Sequence, residues 1–112
     1  MRDRVSRASG DRPPDVGVEH ALHRARRRAS ALDEAIDALA AVRGRARSAD
    51  GVAEVVVDAR GGLVSLTLAD AVARLPAGRI AALVLETVQA AAHAASAKRH
   101  AVLDDLVADL GR

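Results

Sequence analysis

The chain contains no Phe, Tyr, Trp or Cys. Any core it forms must therefore be built from Ala, Val, Leu and Ile. An aromatic side chain ordinarily removes about 150–250 Å² from water, and none is present to do so. Of the 112 residues 27 are Ala, so elements must approach closely for such small side chains to touch. A single domain of this length buries only a modest share of its surface, and there is no disulfide to compensate. The composition therefore predicts a chain completed by a second copy, since an oligomer adds core across its interface. It also sets function classes aside. Without Cys there is no disulfide scaffold, thiolate zinc site, iron–sulfur cluster or cysteine nucleophile. Without aromatics there is no base-stacking platform. No apolar stretch is expected to approach the ~18 residues that span a bilayer. The opening MRDRVSRASG is charged and is not read as a secretory signal. A cytoplasmic protein with no membrane partner is the expectation.

Charge is unevenly spread. The formal net charge is +2, with 17 basic residues, all Arg except Lys98. Residues 1–47 carry 11 Arg against 7 acids, and residues 48–112 carry 6 basic residues against 8 acids. The densest positive point is Arg24, Arg26, Arg27 and Arg28.

Residues 1–14 show no apolar period and read as a flexible basic arm ending in Pro13–Pro14. Asp15 is placed to cap a helix. From Val18 the apolar positions run Leu22, Ala25, Ala29, Leu32, Ile36, Leu39, a 4-3 spacing that makes a heptad seam. The helix is expected over roughly 16–43, with Gly44 ending it. Two β-like runs follow, Val52–Asp58 and Leu63–Ala69, joined by Ala59-Arg60-Gly61-Gly62, and predict an antiparallel hairpin. In the second run Val64, Leu66 and Leu68 are expected inward and Ser65 and Thr67 outward. Arg45–Ser48 is a candidate third strand. Asp70–Leu75 is ambiguous, with a short helical turn as one option. Pro76 then opens a long helical pattern to Leu110, closed by Gly111. Ile80, Leu83, Val84, Thr87, Val88, Ala91 and Ala95 share its inner face, and Val102, Leu103, Leu106, Val107 and Leu110 form a later apolar stripe. The class is α+β: a long N-terminal helix, a hairpin or three-stranded sheet, and a long C-terminal helix.

No catalytic or metal constellation emerges. His20 and His23 are three apart beside Glu19 and lack the His-Glu-x-x-His signature. His93 and His100 share a helical face without a carboxylate at ligand spacing. Asp104–Asp105 reads as a solvated face. Gly61–Gly62 lies in a hairpin and reads as a turn rather than a phosphate loop. Ser65 and Thr67 have no base arranged beside them. Neither an enzyme, a cofactor, a metal nor a small-molecule substrate is expected.

The arginine cluster carries the most information. On a helix, charges are neutralised by residues three or four positions away. No Asp or Glu occupies any such position around Arg24, Arg26, Arg27 or Arg28. The compensating charge must come from elsewhere. One source is an antiparallel partner helix, whose Asp33, Glu34 or Asp37 would meet Arg26 and Arg28 beside the seam. The other is phosphate, which suits the forked donors of Arg. Arg43, Arg45 and Arg47 would extend the basic surface. Contact with the DNA backbone is expected rather than strong base readout.

The succession of a long basic helix, the Gly44–Gly51 connector GRARSADG, the run VAEVVVDARGGLVSLTL (Val52–Leu68) and IAALVLETVQAA (Ile80–Ala91) resembles the YbaB/EbfC family of nucleoid-associated proteins, in particular its divergent actinobacterial members. The likeness covers about residues 18–97. It implies a homodimer with joined sheets and tweezer-like helical arms. It also implies binding to double-stranded DNA with limited sequence preference, and a role in nucleoid organisation or gene regulation. On this reading 1–14 is an arm, 15–98 the family domain and 99–112 a C-terminal helical extension. The dimer interface is expected at Leu22, Ala25, Ala29, Leu32, Ile36, Val64, Leu66 and Leu68. Some actinobacterial relatives are associated with specialised secretion loci. A protein partner held by Leu103, Leu106, Val107 and Leu110 is therefore the alternative function.

Overall fold

A computed structural model describes residues 16–111. The basic arm read over 1–14 and the cap read at Asp15 lie outside the described residues. Helix α1 covers Val16–Ala41. Strands β1, β2 and β3 cover Arg43–Arg47, Ala53–Asp58 and Leu63–Leu68. A turn of 3-10 helix, Asp70–Arg74, resolves the ambiguous segment, and helix α2 covers Ala77–Leu110. The protein is α+β. It divides into two compact units, Met1–Ser30 and Ala31–Arg112. Of the first, the described part is α1 as far as Ser30, and every residue of it is exposed.

The second unit holds the sheet. Its order is β1-β2-β3, antiparallel throughout. The central strand is the most apolar: Ala53, Val55 and Val57 are completely buried. These alternate residues face α2. Val55 and Val57 cluster with Val42, Ala91 and Ala95, and Ala53 with Val52 and Leu83. Along α2 the buried residues are Leu83, Thr87, Ala91 and Ala95, a stripe at four-residue spacing. The Thr87 hydroxyl donates to the Leu83 carbonyl at 2.7 Å, so this buried polar atom is satisfied. Pro76 occupies the position before α2, its fixed φ of −63° leading into the helix.

Gly44 corrects the sequence reading. It does not end α1; it lies buried within β1, and the helix stops at Ala41. A Cβ at Gly44 would stand 2.0 Å from the Ala91 carbonyl oxygen and 2.6 Å from the Ala95 amide nitrogen. Gly44, Ala91 and Ala95 thus let strand and helix meet backbone to backbone, which is how a core without aromatics closes. The end of α1 is served by Arg43 instead. Its Nη1 donates to the carbonyls of Ala40 (3.2 Å) and Val42 (2.8 Å), supplying partners at a helix end.

The hairpin turn matches expectation at Gly61–Gly62, with Gly61 at φ +85°, a conformation that suits glycine. The strict alternation expected in β3 does not hold. Val57 pairs with Leu63 and Val56 with Ser65, leaving Val64 as the extra residue of a bulge. Leu66 and Leu68 lie opposite Val55 and Ala53 and so share the face turned to α2. The reading that no stretch is long and apolar enough to span a bilayer also needs correction. By length and composition α2 is such a helix. Its apolarity comes largely from alanine, with Glu86 the only Asp, Glu, Lys or Arg between Ile80 and Ala97, and its inner stripe is buried on the sheet.

Two aspartates organise the turns. Asp58 Oδ1 accepts the amides of Gly62 (2.8 Å) and Arg60 (2.9 Å). Asp50 Oδ1 accepts the Ser48 hydroxyl (2.7 Å) and the Val52 amide (3.1 Å). The Gly62 amide first, then that of Arg60, holds the Asp58 carboxyl below its ordinary value. The Ser48 hydroxyl first, then the Val52 amide, does the same for Asp50. A carboxylate whose pKa is depressed by folding stabilises the fold fully above its unfolded pKa, about 3.9, and loses that contribution as pH falls through the lower folded value. The thermal midpoint of the wild type is therefore expected to fall as the medium is acidified below about pH 4. A D50N/D58N variant should start lower at neutral pH and show a shallower acid decline. Calorimetric scans across that range check it, and parallel profiles would refute the assignment.

Candidate nucleic-acid interface

Arg24, Arg26, Arg27 and Arg28 are all exposed on α1. Among the described residues the only ion pair is Arg47–Glu54, and no hydrogen bond engages any of the four. Their guanidinium groups stand without a carboxylate, as the spacing argument required. At 3.6 residues per turn, Arg24, Arg27 and Arg28 fall within an arc of about 100°, whereas Arg26 lies on the other flank of the seam.

The second arginine row lies on β1. Arg43, Arg45 and Arg47 alternate with Gly44 and Ala46, which face α2, so the three point to the opposite side of the sheet. They are not equivalent. Arg43 is half-buried and is engaged in closing α1. Arg47 stands opposite Glu54, Nε to Oε2 3.8 Å, with both side chains well exposed. A pair so open to water contributes little. Arg45 faces Val56 and has no charged neighbour across the strands.

Two basic residues that sequence reasoning passed over have structural work. Lys98 Nζ donates to the Arg43 carbonyl at 2.9 Å. Arg99 donates through Nη1 to the Ala59 carbonyl and through Nη2 to Ser96 Oγ (3.2 Å). They tie α2 to one end of the sheet, where Arg43 pairs with Asp58 and Ala59 follows. Contacts 40 and 55 residues apart in sequence leave no local signal.

The apolar residues expected to meet another chain remain open. On α1, Leu22, Leu32 and Ile36 are 50, 44 and 63% exposed, and Ala25 and Ala29 are exposed beside them. In β3 all six residues are exposed, including Val64, Leu66 and Leu68. The stripe near the end of α2 is split: Leu103 and Val107 are exposed, Leu106 and Leu110 half-buried. Among the described residues no group of three or more His, Asp or Glu could hold a metal ion.

A basic helix, a three-stranded antiparallel sheet and a long helix laid on one sheet face define a small α+β protein with the arginines of α1 turned to solvent. Residues 15–110 match the YbaB/EbfC DNA-binding family, and the chain belongs to that family of DNA-binding, nucleoid-associated proteins. Among solved structures it is similar to an uncharacterized protein, HP0035, from Helicobacter pylori. The TM-score is 0.60 at 13% identity, over 85% of this chain and 99% of that one. At that identity the likeness is one of fold. No curated protein matches the sequence.

Proposed function

We propose that this chain works in the cytoplasm as a homodimer that grips the phosphate backbone of double-stranded DNA with little sequence preference, in nucleoid organisation or gene regulation. The observation that carries the reading is the run of four exposed arginines without acidic partners, in a member of a DNA-binding family. Arg suits the task because its planar fork holds phosphate oxygens and cannot be deprotonated. Arg45, with Arg43 and Arg47 beside it, forms a separate basic row. No catalysis is proposed. Titration of duplex DNA across a salt series tests the reading: affinity falls steeply with salt if phosphates are the target. No binding at low salt overturns it.

The two sheet edges support the homodimer. An exposed edge strand is a template for pairing unless it is blunted by charge or cover. Strand β1 carries three arginines and lies beneath α2. Strand β3, Leu-Val-Ser-Leu-Thr-Leu, carries no charge and no proline, and none of its residues is buried. A second copy meeting β3 would cover Val64, Leu66 and Leu68. Leu66→Lys is expected to convert the protein from dimer to monomer in sedimentation equilibrium while the same change at Leu85, exposed on α2, leaves the mass unchanged. A dimer that survives Leu66→Lys removes β3 from the interface.

A second reading, an accessory factor with a protein partner, is favoured by one observation: Leu103 and Val107 stay open, Val107 at 69%. Removing residues 99–112 would not isolate this role, because Arg99 holds the Ala59 carbonyl and Val102 packs on the core. Leu103→Ser with Val107→Ser is the cleaner variant, and it should leave DNA binding intact.

A further inference from the structure

We propose that Ser30 is a phosphorylation site for an arginine-directed serine kinase, and that a phosphate there silences half of the basic cluster of α1 by pairing with Arg26 and Arg27. The consequence for DNA rests on the DNA-binding reading above; the modification itself does not. Kinases of this class hold the guanidinium groups two and three residues before the serine in acidic subsites, a charge pattern that sets substrate choice. Before Ser30 those residues are Arg28 and Arg27, with Ala29 between them and the serine and Ala31 after it. Of the six serines no other has arginine at both places. Two of the others are already engaged. Ser48 Oγ donates to Asp50 Oδ1 at 2.7 Å and accepts the Ala53 amide at 2.9 Å, and Ser96 Oγ accepts from Arg99 at 3.2 Å. Ser30 is exposed on α1, and no hydrogen bond engages its hydroxyl. A kinase cleft takes its substrate extended rather than helical, and here that demand is light. From Val16 to Ser30 every residue of α1 is exposed. A helical stretch of that length without a packed face opens locally at small cost.

The step is a phosphoryl transfer from ATP held by the kinase. Ser30 Oγ attacks the γ-phosphorus, the bond from that phosphorus to the β,γ-bridging oxygen breaks, and ADP leaves with the electron pair. The hydroxyl proton passes to the kinase's catalytic carboxylate. Nothing is asked of this chain beyond a reachable hydroxyl.

The product carries about 1.5 to 2 negative charges near neutral pH and three acceptor oxygens. On a helix it meets the residues three and four positions away. On the N-terminal side those are Arg27 and Arg26, and on the C-terminal side Asp33 and Glu34. The two carboxylates repel the phosphate and the two guanidinium forks donate to it, so it turns toward Arg26 and Arg27. Neither arginine has an acid at this spacing in the unmodified chain, and the phosphate supplies one to both. Arg28 and Arg24 lie round the other side of the helix from Ser30 and stay open. Two of the four guanidinium groups offered to DNA are then occupied from within.

Full-length protein incubated with ATP and the catalytic subunit of the cyclic-AMP-dependent kinase tests the site. Mass spectrometry of the intact chain and its peptides should place a single phosphate on Ser30, and Ser30→Ala should abolish it. No incorporation, or incorporation unchanged in Ser30→Ala, overturns the site. The pairing has a readout that needs no DNA. With phosphoserine incorporated at position 30 during synthesis, phosphorus NMR follows its second ionisation. Arg26→Ala with Arg27→Ala should raise that pKa, because the cations favouring the dianion are gone; an equal pKa in both proteins removes the pairing. In DNA titrations the phosphoprotein should lose about 1.8 from its salt slope, two contacts at about 0.9 each, while Ser30→Ala keeps the wild-type slope. A full wild-type slope in the phosphoprotein overturns the switch. Failure of the unmodified protein to bind duplex DNA at low salt would instead overturn the DNA-binding reading, leaving the site and the pairing to be decided by mass spectrometry and NMR.

Discussion

Gly44→Ala is expected to lower the midpoint of thermal unfolding by roughly 10–20 °C. One added methyl group would have to share space with the Ala91 carbonyl oxygen, 2.0 Å away, and the Ala95 amide nitrogen, 2.6 Å away. Both are backbone atoms, so no rotamer change relieves the clash. Strand β1 and helix α2 must separate, and with them the cluster of Val42, Val55, Val57, Ala91 and Ala95 loosens. Overpacking of this kind costs about 1–3 kcal/mol, occasionally more. Each kcal/mol moves the midpoint of a domain near this size by about 4–8 °C. Gly78→Ala is the control. A Cβ there meets nothing within 4 Å, and alanine favours helix over glycine by up to ~1 kcal/mol. It should hold or raise the midpoint. Differential scanning calorimetry of the two variants distinguishes them, and a Gly44→Ala protein as stable as wild type would contradict the backbone-to-backbone contact.

Replacing Arg24, Arg26, Arg27 and Arg28 together by alanine is expected to remove most of the affinity for duplex DNA at low salt. Each phosphate contact contributes a slope of about 0.9 in log K against log salt. Four contacts per protomer amount to about 3.6, or roughly a hundredfold in affinity over a fourfold change in salt. The slope should flatten by that amount in the alanine variant. The same four positions changed to lysine keep the charge and should keep the salt dependence, with weaker binding because the forked geometry is gone. The substitutions touch no buried residue, since α1 is exposed throughout this stretch, so the fold should survive them. Fluorescence anisotropy over a salt series measures both quantities. An unchanged slope in the alanine variant would move the DNA contact elsewhere, with the β1 row as the next place to look.

What could be read from the residues alone was what repeats along the chain. The seam of α1, the run of β-branched residues in β2, the glycines of the hairpin and the proline before α2 are local patterns. Each dictates its element through dihedral preference or the period of its apolar residues. The unneutralised arginines were legible for the same reason, because helix neighbours are set by spacing. Gly44 was misread because a glycine after an apolar helix has an ordinary local meaning, while its actual role depends on residues 47 and 51 positions further on. The bulge at Val64 was likewise invisible to an alternation rule, since it arises from how β3 registers on Val56 and Val57.

By itself the sequence determined the order and kind of the elements, a core made of small side chains, and a positive charge with no acid of its own helix to meet it. Only the tertiary structure decided that Arg43 closes a helix, that Lys98 and Arg99 fasten α2 to the sheet, and that β3 and the α1 seam are left open. The physical reason is one of distance along the chain. Propensity and periodicity act between residues a few positions apart, whereas which backbone a glycine must admit, or which carbonyl a lysine reaches, depends on how the packed elements meet.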